Sequence, residues 1–241
     1  MARPRRTAAY CPGVWPHSLV PLGERALTID LAAVDAPSMR GLIQSLDARI
    51  LDDATPGITG CVPAIRALTL HYEPTRIAYH QLQRYIESVL ASLTISVTLA
   101  RAPITIPVCY GGEFGPDLDV VANTHRTTPD AIVAAHTAGV YTVAMIGFLP
   151  GFPYLEGLAP ALHTPRRAAP RTNVPAGSVG IGGSSTGVYP CSSPGGWQLI
   201  GRTPRALFSA RRIPPALLAP GDLVHFVAIA PEDWAVDEES K

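Results

Sequence analysis

The sequence predicts an α+β protein with two parts: a small α/β N-terminal domain, then a glycine- and proline-rich β domain built as a barrel or sandwich. Two observations carry this. Strand and helix patterns alternate from residue 18 to residue 99, which suits a layered α/β unit. The stretch from Gly147 to Arg202 holds eleven of the 21 glycines and eight of the 25 prolines, so it cannot form a long helix. It also carries Phe148, Phe152, Tyr154, Val174, Val179, Ile181, Tyr189, Trp197 and Ile200, which a solvated linker would lack. Apolar residues punctuated by Gly and Pro predict short strands joined by tight turns.

The elements follow in order. Residues 18–31 read as strand, turn at Gly23, strand. Pro37 and Ser38 open a helix in which Met39, Leu42, Ile43, Leu46 and Ile50 recur at helical spacing. A turn over 55–60 leads to strands in which Ile65, Leu68 and Leu70 partly alternate. Pro74-Thr75 is expected to open a second helix through about Leu90, with Leu82, Ile86 and Val89 on one face. Thr94–Leu99 is β-branched and predicts a strand. Arg101-Ala102-Pro103 is a plausible linker. Ile104–Tyr110 reads as a strand ended by Gly111-Gly112. Pro116-Asp117 opens a short helix. Thr128-Pro129-Asp130 opens another, which Gly139 follows. Val140–Ile146 is a strand, Pro204–Leu207 is expected to continue barrel structure, and Pro220–Ile229 a turn and last strand. The expected boundaries are a flexible tail over 1–15, an N-terminal domain over 16–101, a β domain over 102–231 and an acidic tail over 232–241.

Composition excludes several classes. The chain has 241 residues, no net charge, 47% hydrophobic and 16% charged residues. Neutrality argues against sequence-independent nucleic-acid binding. Lys241 is the only lysine, which removes Walker-lysine, Schiff-base and lysine-base mechanisms from this chain. Cys11, Cys61, Cys109 and Cys191 are widely spaced, so no metal site is expected. The basic N-terminus has no apolar core of a secretory signal, and no apolar run is long enough for a bilayer; a cytoplasmic location is expected.

Candidate chemistry centres on the glycine-rich stretch. Ala176-Gly177-Ser178-Val179-Gly180 has the outline of a nucleophile elbow, but lacks a following helix. Asp222 and His225, the only later acid–histidine pair before the tail, are spaced for opposite strand faces. Gly177, Gly180, Gly182 and Gly183 suit either tight turns or an anion-binding loop. Arg166, Arg167 and Arg171 sit among prolines, either as solvated charge or as guanidinium forks facing an anion. Glu113, Asp117 and His136 are the candidate acid–base groups. Asp117 also suits a helix N-terminus, and a charged His136 a helix C-terminus.

The segments IPVCYGGEFGPDL (106–118), IGFLPGFPYLEGL (146–158), TPRRAAPRTNVPAGSVGIGG (164–183) and TGVYPCSSPGGWQLIGRTP (186–204) strongly resemble the PxpB family, the B-type component of 5-oxoprolinase. That family is also called KipI, or allophanate hydrolase subunit 1 with its carboxyltransferase domain. The likeness extends more weakly over PLGERALTIDL and GITGCVPAIRALTLHYEP, about residues 17–230 in all. The chain departs from the family pattern at Ser184-Ser185, where a Gln is common, and at His225, where an Arg is common. The resemblance implies a cyclophilin-like β-barrel after the α/β domain. It implies two partners, a KipA/PxpC-like C-type component and a LamB/YcsF/PxpA-like A-type component. It also implies ATP as co-substrate in converting 5-oxo-L-proline to L-glutamate. Inhibition of a histidine kinase and a urea carboxylase-related role are the family's alternatives. With the resemblance, the expected binding residues are Phe148, Phe152, Tyr154, Arg166, Arg171, Gly177, Ser178, Tyr189, Gly195, Gly196, Trp197 and Arg202. Backbone amides near Gly177–Gly183 or Gly195-Gly196 are expected to face a developing oxyanion.

Overall fold

The computed structural model describes residues 15–31, 33–34, 36–95 and 102–234. The chain divides into two compact units, one up to Thr98 and one from Leu99 on.

The first unit is a four-stranded antiparallel sheet with two helices. Strands β1 (Ser18–Pro21), β2 (Ala26–Asp30), β3 (Ile58–Pro63) and β4 (Ala67–Tyr72) lie in the order β1-β2-β4-β3. Helix α1 (Ala36–Asp53) buries the predicted Met39, Leu42, Ile43, Leu46 and Ile50. Helix α2 (Tyr79–Ser92) buries Leu82, Ile86, Val89 and Leu90. It starts later than expected. Glu73 to Ile77 instead form a turn, in which Arg76 and Ile77 N–H donate to the Glu73 carbonyl. The Gln81 side chain then accepts from Ala78 N–H at the true start. Ile65 is not a strand residue but an exposed turn residue. Trp15, assigned to a flexible tail by the sequence, is buried in this core. The strand expected over Thr94–Leu99 lies mostly outside the described residues.

The second unit is a closed seven-stranded barrel beside a two-stranded ribbon. The barrel strands are β5 (Ile104–Tyr110), β6 (Val140–Ile146), β7 (Pro153–Glu156), β9 (Ser178–Gly182), β10 (Ser185–Val188), β12 (Gln198–Arg202) and β13 (Leu223–Ala228). The ribbon pairs β8 (Arg171–Val174) with β11 (Ser193–Gly195). Around the barrel the order is β10-β7-β6-β13-β5-β12-β9, and β5 and β13 pair in parallel. Ile106, Val108, Tyr141, Val143, Val179, Ile181, Val188, Val224 and Phe226 share its buried core, as alternation along short strands requires. Helices α3 (Leu118–Thr124) and α4 (Pro129–Thr137) pack on β12 and β13. Pro204–Leu207, expected to be barrel structure, is loop. The start of the expected acidic tail is ordered: Pro231–Asp233 form a 3-10 turn, and Trp234 packs on Phe114 at 4.9 Å between ring centroids.

Two glycines of the barrel answer to one side chain. A Cβ on Gly182 would fall 2.6 Å from the Trp197 indole, and on Gly187 3.1 Å from it and 2.6 Å from the Pro153 carbonyl. Tight turns were expected in this stretch; both glycines are instead strand residues that let a buried indole lie against the barrel wall.

Candidate functional site

The aromatic residues expected at the site come together outside the barrel. Phe152 and Trp197 meet edge to face at 5.4 Å, Tyr154 and Trp197 at 5.7 Å, and Phe152 and Tyr189 at 5.1 Å. With Val174 and Leu199 these rings form a core of their own. Outside this core lies Phe148, which packs edge-on against Phe152 at 5.7 Å yet remains 61% exposed. Phe148 lies in the tight loop between β6 and β7, at φ +68°. That conformation is costly for a bulky L-residue, and exposed aromatic area adds no compensation from burial.

Arg166 completes this face. Its guanidinium sits over the Trp197 ring, 5.8 Å from the centroid, and its side chain is exposed. No carboxylate pairs with it among the described residues. Two contacts hold its loop down: Arg167 N–H donates to the Gly196 carbonyl at 2.7 Å, and Gln198 Nε2 to the Pro165 carbonyl at 3.1 Å. The Tyr189 hydroxyl lies close by, since a Cβ on Gly195 would stand 2.5 Å from it. Burial raises the Tyr189 pKa, while the Trp197 backbone and the charges of Arg166 and Arg171 act against that rise.

Arg171 has a different role from the expected one. It grips Asp117 with both ends of its fork, Nη1 to Oδ2 and Nη2 to Oδ1, each at 2.8 Å. Arg167 Nη1 adds a third bond at 3.1 Å and Leu199 N–H a fourth at 2.7 Å. The carboxylate is 3% exposed and its acceptor capacity is filled. Asp117 is thus neither a free acid–base group nor a side-chain helix cap; it stands at the start of α3, and its oxygens turn to the arginines. A spacing of 54 residues offers no sequence signal for this pair. Arg167, its second arginine partner, was visible only as one of a run of arginines.

His136 is likewise removed from solvent chemistry. It is wholly buried, stacked on Phe226 at 4.7 Å. The Thr186 hydroxyl donates to the Gly180 carbonyl, so it accepts from His136 Nε2–H at 3.0 Å. Nδ1 then accepts from the Tyr110 hydroxyl at 2.8 Å. Burial lowers the His136 pKa to about 3, so the imidazole is neutral and does not carry the helix-end charge the sequence suggested.

The remaining expected residues separate from the aromatic face. Ser178 is buried inside β9, so the strand-to-helix elbow does not exist. Asp222 accepts from Ala219 N–H and His225 engages the Thr137 carbonyl. Two of the glycine amides expected to face an oxyanion are already engaged: Gly177 N–H donates to the Tyr189 carbonyl and Gly183 N–H to that of Thr164. A Cβ on Gly196 would meet Pro170 at an ordinary contact distance of 3.7 Å, while Gly195 is required by the nearness of Tyr189. Gly177, Glu113 and Arg202 line a second cleft, at the far end of the β9–β12 pair from Trp197. Among the described residues no cluster of His, Cys, Asp or Glu suits a metal ion, and no helix is long and apolar enough to cross a membrane.

Comparison with known proteins agrees with this architecture. Residues 17–218 match the family described as carboxyltransferase domain, subdomain C and D. The chain is 41% identical over 235 residues to the 5-oxoprolinase B subunit of Bacillus subtilis, covering 93% of this chain and 98% of that one. The crystal structure of TTHA0988 superposes with a TM-score of 0.76 at 34% identity, over 89% of this chain. This chain spans only 41% of that longer one. The Kluyveromyces lactis urea amidolyase superposes with a TM-score of 0.76 over 90% of this chain and 15% of its own, but at 19% identity it shares the fold alone.

Proposed function

Because this chain belongs to the family of 5-oxoprolinase B subunits, we propose that it is a non-autonomous subunit of an ATP-dependent 5-oxoprolinase, opening 5-oxo-L-proline to L-glutamate. It works with a KipA-like C-type partner and a LamB/YcsF-like A-type partner. The observation that carries this reading is the match over nearly the full length of a protein of that name. The longer TTHA0988 chain, of which this fold is 41%, supports a fold that works beside further structure.

The substrate is a small ring bearing one carboxylate. Arg166 offers an exposed fork for the carboxylate, and Phe148 and Tyr154 offer apolar faces for the ring. The Asp117–Arg171 pair acts through position: Arg171 begins β8, and the same carboxylate binds Arg167, next to Arg166. Acid–base groups come from the partners, since Asp117 and His136 are already committed inside this unit and Glu113 lies on the second cleft. Phe148, exposed and strained, lies where a partner or substrate would cover it.

Co-expression with a tagged KipA-like chain tests the association. The expected result is a stable complex on size exclusion, lost or weakened by Phe148→Glu. A chain that elutes alone at micromolar concentrations of both proteins contradicts it.

A further inference from the structure

The second cleft has a construction of its own. Its volume is about 670 Å³, and its walls include Phe114, Pro190, Pro204, Phe208 and Trp234. That size suits an organic ligand rather than a bare ion. Two arginines face it, Arg202 and Arg205. Arg202 donates from Nε to the Ala176 carbonyl at 2.7 Å, and its guanidinium lies over Trp234, 5.7 Å from the ring centroid. Arg205 donates from Nη1 to the Thr105 carbonyl at 2.9 Å. Each side chain is anchored by one carbonyl, and neither pairs with a carboxylate among the described residues.

The backbone beneath them is fixed by close approach. Gly177, at φ +82°, would place a Cβ 2.3 Å from the Thr203 carbonyl oxygen. Thr203 N–H donates back to the Gly177 carbonyl at 2.9 Å. The two arginines therefore project from a rigid junction between β9 and the end of β12.

We propose that this cleft is a binding site for a phosphorylated small molecule, with Arg202 and Arg205 holding the phosphoryl oxygens. A guanidinium carries five N–H donors, so about eight remain after the two carbonyl anchors. A carboxylate offers two acceptor oxygens, which four donors fill at Asp117, whereas a phosphoryl group presents three strong acceptor oxygens and up to two charges. With no lysine before residue 241, arginine is the cation this unit has for such a group. Glu113 on the rim, and Glu232 and Asp233 beside Trp234, oppose diffuse anion attraction. They leave binding dependent on directed hydrogen bonds, which favours the group with more acceptor oxygens. The site is separate from the Arg166 face, and its binding does not depend on the proposed 5-oxoprolinase role.

Titration calorimetry of the full chain with pyrophosphate, and in a second arm with glutarate, tests the site. The expected result is saturable pyrophosphate binding that weakens about tenfold or more in both Arg202→Gln and Arg205→Gln, the loss of one charged hydrogen-bond donor set. Arg84→Ala, on the exposed face of α2, leaves it unchanged. Thermal melting of each variant separates lost binding from lost folding, and Arg205→Lys, which keeps charge without the fork, should still weaken binding. No saturation by 10 mM pyrophosphate (about 2.7 kcal/mol of binding free energy) overturns the proposal. So does equal binding by the folded arginine variants, or tighter binding of glutarate.

Discussion

Replacing Arg171 with alanine tests the physical core of the second unit. The truncation removes two 2.8 Å charge-assisted bonds from a carboxylate that is 3% exposed. Breaking a buried ion pair from one side costs about 3–5 kcal/mol, because the surviving charge is left without its partner. Here Arg167 and Leu199 N–H still serve Asp117, and the Arg171 side chain is 22% exposed, so water can partly replace it. The expected loss is therefore roughly 2–4 kcal/mol, or about 5–15 °C in Tm for a chain of this size. Arg171→Lys should recover only part of it, since a lysine cannot span both oxygens. Urea denaturation of Arg171→Ala, Asp117→Asn and the double variant gives the coupling energy, expected to exceed about 1 kcal/mol. If Arg171→Ala melts within about 1 °C of the parent and loses ligand binding instead, Arg171 is a free anion contact and the reasoning fails.

Trp197→Ala should cost about 3–5 kcal/mol in chemical denaturation, as the truncation of a buried aromatic whose ring several glycines accommodate; a loss below about 1 kcal/mol would mean the indole is not part of the core. His136 has a folded pKa of about 3, below its unfolded value near 6.5, so the unfolded state binds the extra proton between these limits. Stability is full above pH 6.5 and falls as pH drops toward 3, by up to about 1.4 kcal/mol per unit; a His136→Gln variant should lose this slope, and an unchanged slope would contradict the assignment. Phe148→Gly should leave Tm unchanged or raised, by relieving φ +68° at an exposed residue, while reducing activity of the assembled complex about tenfold or more. A large fall in Tm with activity retained would make Phe148 structural.

Local patterns carried much of the fold. Met39, Leu42, Ile43, Leu46 and Ile50 read as a helix face because one face had to be buried, and the barrel strands read from short apolar runs between Gly and Pro. Where the physics was long-range, the sequence was silent. Gly182 resembles a turn glycine, yet its reason is Trp197, 15 residues further along the chain, and Gly187 makes room for the Pro153 carbonyl and the same indole. Asp117 resembles a helix start, and the arginines that claim it lie some fifty residues later, Arg167 on a loop and Arg171 at the start of β8. The aromatic wall was legible because its members crowd one stretch. The cleft was only half legible, since Arg202 stood in a recognisable motif while Trp234 lay in a segment expected to be tail. His136 was misread because helix position suggests a charge, and only the packed barrel shows Phe226, Tyr110 and Thr186 closing around the ring.

The most direct test of the proposed role is release of glutamate and ADP from 5-oxo-L-proline and ATP, measured for the purified chain alone and after addition of its A- and C-type partners. No turnover by the chain alone, and coupled release of both products by the assembled set, is the expected result. Sustained turnover by the isolated chain, free of partner protein, or an assembled set that releases neither product, would contradict it.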